Sequence, residues 1–429
     1  MSFQTGLSGL NASSKNLDVI GHNIANANTT GMKMGRAEFS EMYATALGAA
    51  GGFNSGIGVQ VANVAQIFTQ GNLKITGNQL DLAVNGGGFF QVKQTDDSIA
   101  YTRNGEFKLD KDGYIVSNNG ARLQGYTTDE SGNRTSVVTT DLTLPTGSAI
   151  DPRRTGGNPD PTQAGVFLTA NLDSRAAVQS ALPLATALTY PLASSQKEYG
   201  TATNAYDSQG NAIPVQMYFV KRATNTWDVV ASTDSGTTGQ TVGRVTFDAS
   251  GQISPAPVLA PISIAQNATT GIPSDNPLVF NLNVGDATSG YTLTQFGSNF
   301  GVYDLKQDGY QSGELTSIDI GESGVILARY SNGVSKAEGQ VALGNFRNLQ
   351  GLQPINGGYW AESYASGQVV LGAPQEGRLG LVRQSALEES NVDLTQELVN
   401  MIVAQRAYQA NAQTIKTQDQ VLSTLVNLR

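Results

Sequence analysis

Apolar residues follow two different periods along this chain, and the change of period divides it. From Val392 to Leu428, Leu394, Leu398, Met401, Tyr408, Ala412, Ile415, Leu422 and Val426 recur at helical spacing, which places them on one stripe of a helix roughly 55 Å long. Gln405 and Asp419 fall where a coiled coil wants an apolar residue. The stripe is therefore thin, and the helix needs a partner. Phe3, Leu7, Leu10, Leu17, Ile20 and Ile24 repeat the pattern near the other end of the chain. Gly6, Gly9 and Gly21 interrupt this second helix, each at about 1 kcal/mol relative to Ala. Two weak helices with single apolar stripes bury them most simply against each other, or against copies from neighbouring molecules.

Between the helices the period is two. A Gly- and Ala-rich stretch from Ala46 passes into a strand over Gln60–Phe68, and runs such as Leu80–Val84 and Phe89–Val92 follow. Asp110-Lys-Asp-Gly113, Asp207-Ser-Gln-Gly210 and Asp248-Ala-Ser-Gly251 read as turns. Thr201–Tyr206, Val215–Lys221, Thr226–Ser232 and Arg244–Phe247 form a second β-rich block with its own turns. The expected fold is α+β, mainly β: terminal helices pairing as a coiled-coil-like axial domain, with two nested β-domains built from a discontinuous chain. Residues 1–45 and 385–429 are assigned to the helical domain, 46–69 and 365–384 to linkers acting as a hinge. Residues 70–143 and 292–364 form the inner β-domain, and 144–291 the inserted outer one.

Composition narrows the chemistry. The 429 residues carry 49 Gly, only 14% charged side chains and a net charge of −9. No basic patch is available to neutralise phosphates, so a nucleic-acid partner is not expected. Cysteine is absent, which removes disulfides, thiolate metal sites and cysteine nucleophiles. No run reaches membrane-spanning length, and the first residues do not open a cleavable signal peptide.

Leu17-Asp-Val-Ile-Gly-His-Asn-Ile-Ala-Asn-Ala-Asn-Thr-Thr-Gly31 resembles the N-terminal motif of bacterial flagellar rod and hook proteins. Ser390-Asn-Val-Asp-Leu394 and Met401-Ile-Val-Ala-Gln-Arg-Ala-Tyr408 resemble the matching C-terminal motif. Met32 replaces the aromatic residue usual after Thr-Thr-Gly. Asn72–Gly77, Leu80–Val92 and Gly344–Pro354 are similar to the family's core β-domain. The resemblance implies an axial protein of the flagellum, located outside the cell, exported without a cleaved signal peptide through the type III export apparatus and assembled into a tube. The chain is too long for a distal-rod member, so the hook-forming type is expected: a homopolymer acting as a flexible joint. Its implied partners are the distal rod protein, the hook-filament junction protein and the hook cap. A hook-filament junction or distal-rod axial protein, or a secreted β-rich adhesin, is the alternative reading.

No candidate catalytic, cofactor or metal site withstands comparison with a structural role, and neither enzymatic activity nor a small-molecule substrate is expected. His22 is the only histidine and sits at a polar helical position. Gly86-Gly-Gly88 lacks the Lys-Ser/Thr of a phosphate loop. Asp110-Lys-Asp-Gly113 lacks the remaining ligands of a calcium loop. Ser194-Ser-Gln-Lys197 has the spacing of a Ser-x-x-Lys nucleophile without companion motifs. Asn11, Asn28, Asn133 and Asn267 precede x-Ser/Thr, a chance pattern in so polar a chain. The residues expected to act are those of self-assembly: Phe3, Leu7, Leu10, Leu17, Ile20, Ile24, Leu394, Leu398, Met401, Tyr408, Ile415 and Leu422.

Overall fold

A computed structural model describes residues 2–43, 56–145, 149–179, 183–184, 186–264, 277–286 and 291–427. Helix α1 spans Ser2–Ala25 and α2 spans Leu394–Asn427. Everything regular between them is strand, apart from three short 3-10 turns among the described residues. The chain divides into two compact units. The first comprises residues 1–146, 316–329 and 335–429, the second 147–315 and 330–334.

In the first unit α1 ends at a turn, and strands β1 (Gly35–Tyr43) and β2 (Gly56–Gln66) form an antiparallel hairpin. Ser8 Oγ accepts from Val59 N at 3.3 Å, which docks α1 on this hairpin. Residues 1–45 are thus not wholly helical: the alternating Phe39-Ser-Glu-Met-Tyr43 run is too short to be distinguished from a helical end by periodicity alone. Residues 46–55 of the expected hinge lie outside the described residues. The strands on either side of them pair in register from Gly35 with Gln66 to Tyr43 with Gly56.

A branched sheet of thirteen strands forms the body of the first unit. Its core is an aromatic cluster in which Phe68, Phe89, Tyr101, Phe346 and Trp360 pack edge to face, with centroids 4.8–6.2 Å apart. Trp360 Nε1 donates to Gln66 Oε1 at 2.6 Å, so the end of β2 is tied into this core. The second expected linker, 365–384, also belongs to the body. Val370–Gly372 pairs with Leu343–Asn345, and Leu381–Gln384 pairs with Leu82–Asn85. Runs of three or four residues separated by Gly and Pro carry too little alternation to announce strands whose partners are far away in sequence.

The second unit packs two sheets face to face. Gly200–Tyr206, Ala212–Ala223, Thr226–Ser232 and Gln240–Thr246 form an antiparallel meander. In the other sheet Val166–Asp173 lies antiparallel to Gly301–Gln307 and parallel to Leu282–Asn283 and Tyr291–Phe296. Inward positions alternate along Ala212–Ala223, so Ile213, Val215, Met217 and Phe219 enter one core with Leu168, Leu172, Trp227 and Leu293. Each such side chain contributes about 1.5–3 kcal/mol by leaving water. Trp227 Nε1 donates to Gln295 Oε1 at 2.8 Å, satisfying its one polar group. The turns behave as their residues require: Asp207 Oδ1 accepts from Gln209 N and Asn211 N at 3.0 and 2.8 Å. Tyr291–Leu315, whose first residue marked the expected return to the inner β-domain, instead stays in the second unit, because Tyr291–Phe296 and Gly301–Gln307 both pair with Val166–Asp173.

Candidate functional site

The site is built from α1 and α2 and the joint that holds them to the body of the first unit. Asp393 caps α2, its Oδ1 accepting from Thr395 N and Gln396 N at 2.8 and 3.1 Å. The helices run in opposite directions. A Cβ added to Gly6 would lie 3.1 Å from Ile415 Cγ1, and one added to Gly9 would lie 3.0 Å from Asn411 Oδ1. Asn411 Nδ2 donates to Ser13 Oγ at 3.3 Å, and Asn23 Nδ2 donates to Glu397 Oε2 at 3.1 Å. Positions 6, 9, 13 and 23 therefore face α2. Asn16, which lines the same groove as Ala404 and Ala407, and buried Ile20 continue their 3-4 spacing. Opposite them run Glu397, Ala404, Asn411 and Ile415. Apart from Ile20 and Ile415 the two helices meet through small and polar side chains, and Gly6 and Gly9, two of the three glycines that looked costly in α1, lie against Ile415 and Asn411.

The large apolar residues are placed differently. Among those of α1 expected to act in assembly, Ile20 is buried, Leu10, Leu17 and Ile24 are half-buried, and Leu7 is 44% exposed. On α2, Met401 and Ile415 are half-buried, and Tyr408 is 37% exposed. Leu394 and Leu398 are each 46% exposed, joined by Val399, Ile402 and Val403 at 50–61%. The side chains of Phe3 and Leu422 lie outside the described residues. The stripe expected on α2 is thus rotated about half a residue step from the seam that meets α1. Its first half, widened by Ile402 and its neighbours, faces away from α1 as an apolar strip. An exposed continuous apolar strip is the mark of an interaction surface.

The joint below the helices is polar, buried and made from residues that periodicity does not select. Glu388 is fully buried; its Oε1 accepts from Lys33 Nζ at 2.6 Å and from Gly71 N at 2.9 Å, and its Oε2 accepts from Arg103 Nη1 at 3.0 Å. Lys33 Nζ also donates to Thr69 O at 2.8 Å, and Arg103 Nη2 to Gly86 O at 2.8 Å. Burial pulls the Lys33 ammonium below its usual range, against the opposing pull of the Glu388 carboxylate. The Glu388 carbonyl accepts from Gly31 N at 2.7 Å. Gly31 has φ of +72°, and a Cβ there would meet the Arg103 carbonyl carbon at 2.6 Å, so only glycine fits. Asn391 completes the joint: its Oδ1 accepts from Met34 N and its Nδ2 donates to Ile67 O, each at 2.8 Å. Asn23 brackets Gly35 in the same way, accepting from its N at 2.9 Å and donating to its O at 2.8 Å. The only signal that pointed here was the motif, whose Asn23, Gly31 and Asn391 are hardware of this joint.

Three of the other candidates have definite places in the fold. His22 is exposed on α1. Asp110 closes a hairpin turn by accepting from Asp112 N. Lys197 Nζ donates to Ser235 O at 2.6 Å, so it holds a loop. No group of acidic residues, Cys or His among the described residues has metal-binding geometry, and no described helix is long and apolar enough to cross a membrane.

Four family descriptions match in chain order. They are the flagella basal body rod protein over residues 3–33, the flagellar hook protein FlgE/F/G D1 domain over 83–151, the flagellar basal body protein FlaE D2 domain over 171–310, and the flagellar basal body rod FlgEFG protein C-terminal over 383–428. The chain is 38% identical over 442 residues to the flagellar hook protein FlgE of Escherichia coli (strain K12), covering 100% of both chains. It is 39% identical over 444 residues to that of Salmonella typhimurium, again covering 100% of both. For Treponema pallidum the identity is 33% over 471 residues, covering 99% of this chain and 98% of the other. Among solved structures it is similar to the Helicobacter pylori flagellar hook protein FlgE2, with a TM-score of 0.50 and 16% identity, covering 73% of this chain and 100% of that one. That likeness concerns the fold alone.

Proposed function

The chain belongs to the flagellar hook protein family and is a structural subunit of the hook; from that premise we propose how its parts divide the work. The α1–α2 pair acts as a coiled-coil-like axial domain, and neighbouring subunits close their apolar faces over one another to build a tube. The second unit acts as an outer domain nested in the first, supplying lateral contacts that tolerate changes of spacing as the tube bends. The assembled tube is a universal joint carrying torque from motor to filament. No catalysis is required of it. The subunit reaches the cell exterior through the type III export apparatus without cleavage, polymerises under a hook cap, and meets the distal rod protein at one end and the hook-filament junction protein at the other.

One observation carries this reading: Leu394, Leu398 and Ile402 form an apolar strip on α2 that α1 does not cover. Water-exposed strips of this kind are costly to a monomer and become cohesive when a second copy buries them. The abundant Ser, Thr, Asn and Gln of the β-regions suit wet, exchangeable side contacts. The test is electron microscopy of the purified chain under high-salt assembly conditions. Curved tubes formed by this chain alone are expected; failure to form tubes under any salt condition, with the β-units folded, counts against it.

A further inference from the structure

Lys33, Arg103 and Glu388 come from three distant parts of the chain, and all three are buried. One carboxylate faces two cations, at 2.6 and 3.0 Å, so the cluster holds one uncompensated positive charge. Arg103 Nε is buried without a hydrogen-bond partner. A cluster built for stability alone would not leave these costs standing, since well-packed apolar residues often replace buried ion triads at no loss. What the triad has that apolar packing lacks is direction. Lys33 follows the end of α1, Glu388 precedes α2, and Arg103 belongs to the body, where its guanidinium also bonds Gly86 O and lies 5.2 Å from the centre of the Phe89 ring. Both helices are thereby referred to one point on the body by short, angle-dependent bonds.

We propose that Glu388, held between Lys33 and Arg103, is a positioning residue that fixes the angle at which the paired helices leave the body, and that uniform tube geometry depends on it. This rests on the hook-subunit reading above. Glu388 closes a strand paired with Leu73–Ile75 just ahead of α2, and displacing the segments that lead into the helices parts two buried cations from their single carboxylate.

The absence of cysteine allows a direct test on the full chain. Spin labels at Gln409→Cys on α2 and Lys108→Cys on the body report the distance between them in tubes diluted with unlabelled chain. Two variants are compared. Lys33→Met with Arg103→Met and Glu388→Met removes all charge at similar volume; Glu388→Asp keeps the charge and shortens its reach by one methylene. The triple variant is expected to melt no lower than the parent, yet to give a distance distribution at least twofold wider and tubes of mixed curvature. Glu388→Asp is expected to widen the distribution as well, and it decides the matter if the triple variant does not fold. Parental width and uniform curvature in the folded variants would overturn the proposal and leave the triad a packing element. Failure of the unsubstituted chain to form tubes strikes the hook-subunit reading instead, and the label distances in the free chain then decide the positioning role.

Discussion

The α1–α2 pair and the sandwich of the second unit are opposite solutions to burying apolar surface. In the sandwich, Trp227, Leu168, Leu172 and Met217 are wholly enclosed, and the buried polar group of Trp227 has its partner within the same unit. In the helix pair, glycine, alanine, serine and asparagine occupy the seam, while Leu7, Leu394, Leu398 and Ile402 stay at least 44% exposed. The first is a finished core. The second leaves an apolar strip of α2 in water, next to a buried polar joint. If neighbouring copies cover that strip, as proposed, stability of the subunit resides in its β-structure and cohesion of the polymer in its helices, and substitutions in the two regions should be separable by experiment.

The largest effect belongs to the finished core. Trp227→Ala is expected to cost about 3–5 kcal/mol and to lower the melting transition of the second unit by roughly 10 °C, while transitions of the first unit stay put. Loss of both transitions together in calorimetry would mean the units do not fold separately.

Leu398→Lys reverses this outcome. The side chain is already half in water, so monomer stability should change by no more than about 0.5 kcal/mol. Burying an unpaired ammonium in a subunit contact costs several kcal/mol, and light scattering should show polymerisation abolished. A variant that polymerises normally would show that this strip meets no protein.

Incompleteness is confined to the helices of the first unit if the aromatic core of its body is closed to water. Burial pushes the Tyr101 phenol up to about 12, with the Glu362 carboxylate adding to the shift. An unfolded tyrosine ionises near 10, so between pH 10 and 12 the folded state binds the extra proton and stability falls as pH rises. The loss across that window is roughly 2–3 kcal/mol. Tyr101→Phe should remove this part of the alkaline slope. An unchanged slope would mean that the aromatic core of the body is open to water.

The smallest effects separate two helix glycines. Gly21 has nothing within 4 Å of an added Cβ, so Gly21→Ala should stabilise α1 by about 0.5–1 kcal/mol. Gly6→Val drives methyl groups against Ile415 and should cost about 1 kcal/mol through crowding. Circular dichroism of helix melting distinguishes them; equal signs for both would mean that the helices are not paired at Gly6.

The parts of the molecule legible in its sequence are those governed by local chemistry. The strand Thr226–Ser232 has the bounds its sequence predicts, and the turns at Asp207 and Asp248 lie where Asp and Gly demand them. Both end helices follow from their period. The phase of the helix seam did not, because α2 carries apolar residues on more than one face and only contact with α1 selects among them. Reading Gly6 and Gly9 as propensity costs concealed their role as contact points. The joint at Glu388 was invisible for a different reason: its bonds span 285 and 355 residues of chain, and no periodicity reports pairings that distant. Residues 292–315, expected in the inner β-domain, belong to the second unit, because alternation marks a strand without naming the sheet it joins.

The central claim, that the exposed strip of α2 becomes core only when another copy covers it, is tested most directly at one atom. Leu398→Cys introduces the only thiol in the chain, and its rate of maleimide modification can be followed before and after assembly. The account predicts ready labelling of the free subunit and at least tenfold slower labelling in tubes. Equal rates in both states would contradict it.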